Sequence, residues 1–120
     1  MIIGITISEK NENSTVDPRF GRTPYFLIYN DETGEKKIID NAQNLNAPQG
    51  AGIQAAQNIL KENIEVLLTG NVGPKAFQLL AGAGVKIFTG AANLTVDDAI
   101  KAYKDGKLTE TDSATKPGHW

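Results

Sequence analysis

Ile64–Phe88 reads IEVLLTGNVGPKAFQLLAGAGVKIF, and the architecture follows from it. The apolar run Ile64–Leu68 has the composition of a strand. It ends in Thr69-Gly70-Asn71-Val72-Gly73 and gives way to Pro74, which suits a first helical turn because its missing N–H is not needed there. Ala76, Phe77, Leu80 and Ala83 then recur at helical spacing, Gly82 and Gly84 stop the helix, and Val85–Phe88 is apolar again. Strand, helix and strand in so short a span form a crossover between two parallel strands, and such crossovers are right-handed.

The flanking sequence extends the pattern in both directions. Before it, Pro48-Gln49-Gly50-Ala51-Gly52 opens a helix with Ile53, Ala56, Ile59 and Leu60 on one stripe, ending near Asn63. After it, Thr95-Val96-Asp97-Asp98 resembles a capping box ahead of Val96, Ala99, Ile100 and Tyr103, and Gly106 stops this third helix. At the front, Met1–Ile7 (MIIGITI) is an isoleucine-rich strand of the kind buried on both faces. Tyr25–Tyr29 and Lys36–Asp40 flank the turn residues Asp31-Glu32-Thr33-Gly34 as a hairpin, with Lys36 and Lys37 suited to an exposed edge. The order is strand, strand, strand, helix, strand, helix, strand, helix. It predicts an α/β fold: a mixed five-stranded sheet in order 3-2-1-4-5, strand 2 antiparallel, flanked by three helices, which is the ribonuclease H-like architecture.

The chain has 120 residues, 40% hydrophobic and 22% charged, with a net charge of -2. That fits one globular domain, here residues 1–108, and offers no global attraction to nucleic acid or anionic membrane. Thr109–Trp120 has little apolar content and no period, so 109–120 is expected to be a disordered tail whose removal leaves stability nearly unchanged. Cysteine is absent, and the one histidine, His119, falls in that tail. Zinc sites, thiolate-held clusters and histidine-dependent nucleophilic catalysis are therefore excluded in their usual forms. No basic leader or membrane-length apolar run is present, which makes the cytoplasm the expected location.

In this architecture the carboxyl ends of strands 1, 3, 4 and 5 and the amino ends of all three helices share one sheet edge, where open sheets bind ligands. Helix amino ends favour anions. Two carry glycines, Gly50-Ala51-Gly52 and Gly70-Asn71-Val72-Gly73, and the long loop after strand 1 reaches the same edge. Both arginines of the chain, Arg19 and Arg22, lie in that loop, and their planar forks suit anionic ligands. Plainer readings stand beside this one. The glycines serve backbone geometry, Arg19 pairs with Asp17, Arg22 lies over Phe20 or Tyr25, and Tyr25, Phe26 and Tyr29 pack within strands. Neither glycine motif is a P-loop or a dinucleotide fingerprint.

Arg19-Phe20-Gly21-Arg22, Gly50-Ala51-Gly52, Gly70-Asn71-Val72-Gly73 and Gly106-Lys107-Leu108, in that order over about Met1 to Leu108, resemble the dinitrogenase iron-molybdenum cofactor biosynthesis family. That family includes NifX-like proteins and the carboxyl-terminal domain of NifB-like proteins. The resemblance implies a non-enzymatic carrier for an anionic iron–sulfur or iron–molybdenum cluster precursor, with cofactor-assembly proteins as partners and neither nucleic acid nor membrane. The candidate ligand-binding residues are Arg19, Phe20, Gly21, Arg22, Gly50, Ala51, Gly52, Gly70, Asn71 and Gly73, with no catalytic and no metal-ligating residue. Where cluster-handling members offer histidine or cysteine, this chain has Asn46-Ala47-Pro48-Gln49 ahead of its glycines. A ribonuclease H-like nuclease is the enzymatic alternative, but it needs carboxylates converging on two cations, and strands 1 and 4 offer Thr6, Ser8 and Thr69 instead. A regulatory protein-interaction module is the third reading.

Overall fold

The structure, a computed structural model, describes residues 1–41 and 50–112. β1 (Ile2–Ile7), β2 (Tyr25–Asn30), β3 (Lys36–Asp40), β4 (Val66–Leu68) and β5 (Lys86–Phe88) form one sheet in the order β3-β2-β1-β4-β5. β1 pairs antiparallel with β2 and parallel with β4, β2 antiparallel with β3, and β4 parallel with β5. This is the expected mixed sheet. The three helices are α1 (Ala51–Leu60), α2 (Pro74–Gly82) and α3 (Val96–Lys104).

Alternation along the strands divides the core in two. Ile3, Ile5 and Ile7 of β1 join Leu27, Val66 and Leu68 beneath Val96, Ala99 and Ile100 of α3. On the other face, Phe26, Ile28, Leu67 and Ile87 meet Ala55, Ala56 and Ile59 of α1 and Ala76 and Leu80 of α2. Gly4, in the middle of β1, lets α1 approach: a Cβ there would lie 2.7 Å from Ile59 Cδ1 and 3.1 Å from Ile64 Cδ1.

Several local expectations shift. α1 buries Ala51, Ala55, Ala56 and Ile59, whereas Ile53 is half-exposed, because the small alanines set the helix closest to the sheet. In α2 Ala76 and Leu80 are buried and Phe77 half-buried, while Ala83 lies beyond the helix and is exposed. β4 and β5 are shorter than their apolar runs; Ile64 and Val85 are buried but precede the strands.

The segment expected to be a tail starts with residues that pair. Glu110 bridges Phe88 antiparallel, the Thr111 N–H donates to the Ile87 carbonyl at 2.7 Å, and the Thr89 and Thr111 hydroxyls lie 2.6 Å apart. Leu108 packs with the α3-side core. Polar composition concealed the pairing of residues 110–111, since it rests on backbone pairing with the open edge of β5 and on one hydroxyl contact. Residues 113–120, with His119 and Trp120, lie outside the described residues. Among the described residues, no helix is long and apolar enough to cross a membrane.

Candidate functional site

The carboxyl edge of the sheet is built on the loop between β1 and β2. Val16 continues β1's antiparallel pairing by bridging Ile7, and the Asp17 N–H donates to the Thr6 carbonyl at 2.8 Å. The loop then crosses to β4. Pro18 lies against Gly70 so closely that a Cβ on Gly70 would meet Pro18 Cα and O at 2.6 Å. Asn71 Nδ2 donates to the Pro18 carbonyl at 3.3 Å, Arg19 bridges Asn71 in parallel sense, and the Phe20 N–H donates to the Asn71 carbonyl at 3.1 Å. Phe20–Arg22 form a single 3-10 turn that packs against α1.

The candidate residues therefore take different positions. Arg19 is exposed and Arg22 half-buried, and Asn71, Gly50 and Gly52 are half-buried at the edge. Phe20 and Gly21 are buried: the Phe20 ring lies tilted against Phe26, with centroids 5.7 Å apart, and belongs to the core under α1 and α2. Ala51, Gly70 and Gly73 are buried as well. Thus the loop and the Gly70-Asn71 turn are in direct contact, and the 3-10 turn joins them to α1. Asn46–Gln49 lie outside the described residues.

The three helix starts are not equivalent. Thr95 Oγ1 accepts from the Asp98 N–H at 3.2 Å, and the Val96 N–H donates to the Ser14 carbonyl at 3.1 Å. With Asp97 and Asp98 in its first turn, the α3 start is capped by its own chain and repels anions. α1 and α2 begin at Gly50, in the left-handed region at φ 76°, and at Gly73; neither start has a side-chain cap or a first-turn acid. Neither start therefore carries the features that close the α3 start to an anion.

Beneath the loop lies a hydroxyl network that the sequence reading passed over. Thr6 Oγ1 donates to the Asp17 carbonyl at 2.9 Å and lies 2.9 Å from Thr69 Oγ1, with both threonines fully buried. The Asp17 carboxylate accepts from the Arg19 backbone N–H at 2.9 Å and from Ser8 Oγ at 3.0 Å. Thr23 Oγ1 sits 2.9 Å from the Ile7 and Tyr25 carbonyls. Asn41 Nδ2 donates to the Thr23 carbonyl at 3.0 Å, while Asn58 Nδ2 from α1 donates to Asn41 Oδ1 at 2.9 Å. The available signal was a threonine inside an isoleucine-rich strand and another just after β4: a buried hydroxyl requires a partner. Among the described residues, no three His, Cys, Asp or Glu side chains are grouped to hold a metal ion. The residues gathered at this edge are the loop with Arg19 and Arg22, the Gly70-Asn71 turn and the start of α1.

The mixed α/β fold is shared with known proteins. The chain belongs to the family described as dinitrogenase iron-molybdenum cofactor, whose profile matches residues 1–106. The apo form of the orange protein from Desulfovibrio gigas is similar over 96% of both chains, with 38% identity and a TM-score of 0.92. A Thermotoga protein provisionally described as a NifB protein is similar over 96% of this chain and 97% of its own, with 33% identity and a TM-score of 0.82. An uncharacterised protein of Methanocaldococcus jannaschii is 32% identical over 100 residues, 81% of this chain and 83% of its own length.

Proposed function

We infer that the protein is a non-enzymatic carrier that holds an anionic iron–sulfur or iron–molybdenum cluster precursor at the carboxyl edge of its sheet. The observation that carries this reading is the docking of the Asp17–Arg22 loop on the Gly70-Asn71 turn, which sets Arg19 beside Asn71 at that edge. Family membership and the likeness to a structure described as an apo form support a cofactor-related cargo. The cargo would be bound by charge and hydrogen bonds, because the chain contains no cysteine. Arg19 and Arg22 supply positive charge, and the starts of α1 and α2 supply backbone donors. Cofactor-assembly proteins of the cytoplasm are the partners this reading implies.

The strand order, with β2 antiparallel, supports placing the fold in the ribonuclease H-like class. A nuclease of that class is disfavoured by the hydroxyl side chains Thr6, Ser8 and Thr69 where carboxylates would be needed.

The test is anaerobic titration of the protein with molybdate, inorganic phosphate and a synthetic iron–sulfur cluster anion, followed by amide chemical shifts. Shifts are expected at Gly50, Gly52, Gly70 and Gly73 together with Asp17–Arg22. Changing Arg19 and Arg22 to alanine should weaken binding about ten-fold or more, as loss of charge-assisted hydrogen bonds does. Shifts scattered over the sheet faces, or a double variant that binds like the parent, would overturn the reading.

A further inference from the structure

Asp17 sits beneath the arginine loop with only 9% of its surface exposed, and four of its atoms are engaged. Its N–H donates to the Thr6 carbonyl at 2.8 Å and its carbonyl accepts from Thr6 Oγ1 at 2.9 Å. Its two carboxylate oxygens accept from the Arg19 N–H at 2.9 Å and from Ser8 Oγ at 3.0 Å. Residue 17 is thereby fixed to β1, Pro18 is pressed on Gly70, and residues 19 and 20 are tied to Asn71. A negative charge in this position is unfavourable for an anion held nearby. Something other than charge must account for a carboxylate there, and its geometry offers it: a carboxylate only accepts, so it can take an N–H and an O–H at once.

We propose that Asp17 is a positioning residue for the anion site, fixing the backbone of Arg19 against Asn71 so that the arginine loop is ordered before cargo arrives. This rests on the reading of the edge as an anion site. Preordering the loop removes its ordering entropy from the binding step, which is how a group that repels the ligand can still increase its affinity.

The sign of the effect separates positioning from simple electrostatics. Removing the carboxylate by Asp17→Ala deletes a repelling charge, so electrostatics alone raises the affinity for molybdate. Loss of positioning lowers it, and a fall of about five-fold or more is expected. Asp17→Asn also removes the charge but keeps an acceptor for the Arg19 N–H, and it should restore binding to at least the parent's level. A second readout needs no ligand: hydrogen exchange of the Arg19 amide and the Arg19–Asn71 nuclear Overhauser contacts, both expected to be lost in Asp17→Ala and kept in Asp17→Asn. Should Asp17→Ala fail to fold, Ser8→Ala, which removes only the hydrogen bond to Oδ2, takes its place with a smaller change in the same direction. Tighter molybdate binding by Asp17→Ala, or unchanged Arg19 protection in it, would overturn the proposal. A parent protein that binds none of the anions would overturn the reading of the site itself, and the ligand-free exchange data tell that failure apart from this one.

Discussion

At Gly70 the chain has no room for a methyl group: the Cβ of an alanine would press on Pro18 backbone atoms at 2.6 Å, and backbone cannot rotate aside as a side chain can. Gly70→Ala should therefore destabilise the protein by about 1–3 kcal/mol, as overpacking does, and displace the arginine loop. Urea unfolding and the Arg19 and Asn71 amide shifts would show both. Thr6 is the complementary case. Its hydroxyl serves the Asp17 carbonyl and Thr69 Oγ1 in a fully buried position. Thr6→Val keeps the shape but strands those partners, at a loss of about 1–3 kcal/mol read in the same unfolding experiment. Glycine in the Gly70 turn was legible in the sequence as turn chemistry, but the reason it cannot be replaced is a neighbour 52 positions away, counting from Pro18 to Gly70.

Arg19 and the 3-10 turn Phe20–Arg22 join two roles in four residues, with a buried Phe20 ring for the core and the exposed Arg19 for the edge. Phe20→Ala should remove about 3–5 kcal/mol of stability by emptying the space beside Phe26 and α1, so any effect of this variant on ligand binding reports folding rather than contact. At α3, Thr95→Ala should lose about 1 kcal/mol with the cap on Asp98, measurable by thermal unfolding, and leave anion binding unaltered because that helix start is closed to ligand. β3 is tied to the turn that follows α1 by Lys37 Nζ and Glu62 Oε1 at 2.6 Å. The hydrogen bond to Glu62 holds the Lys37 ammonium above the ordinary lysine range. Its pKa is raised on folding, so this tie is complete below that ordinary range and is lost as pH rises through the raised value. Glu62→Gln should return Lys37 to the ordinary range in a side-chain titration. The hairpin turn and the starts of α2 and α3 were readable from turn residues, Pro74 and the Thr95 cap, since each is a local signal, whereas α1 ends at Leu60 rather than near Asn63 and α2 ends before Ala83.

Across the whole molecule, the sheet has two edges that are finished differently. β3 carries Lys36 and Lys37, while β5 is partly covered by residues 110–111. Two truncations separate the contribution of that cover: cutting after residue 112 keeps it, and cutting after residue 108 removes it. The shorter chain should melt about 4 °C or more below the longer one if the lost pairing contributes about 1 kcal/mol. Equal melting temperatures would return residues 109–112 to the status of an uncoupled tail.

What the sequence determined by itself is the order and type of the elements, because helix stripes, caps, turn glycines and apolar strand runs are set within a few residues of each other. Handedness of the crossovers then leaves the order β3-β2-β1-β4-β5 as the natural outcome. The grouping of Arg19, Arg22 and the glycine turns at one edge follows from that topology. Only the tertiary structure decided which of them face outward, that Phe20 belongs to the core, that the α3 start is closed by Ser14 and Thr95, and that Asp17 is tied to Thr6, Ser8 and Arg19. The physical reason is separation along the chain. Thr6 and Thr69 are 63 positions apart, and a hydrogen bond between them has no local pattern; it exists because packing brings β1 and β4 side by side, and with the Thr6 O–H given to the Asp17 carbonyl the Thr69 hydroxyl is left to donate to Thr6.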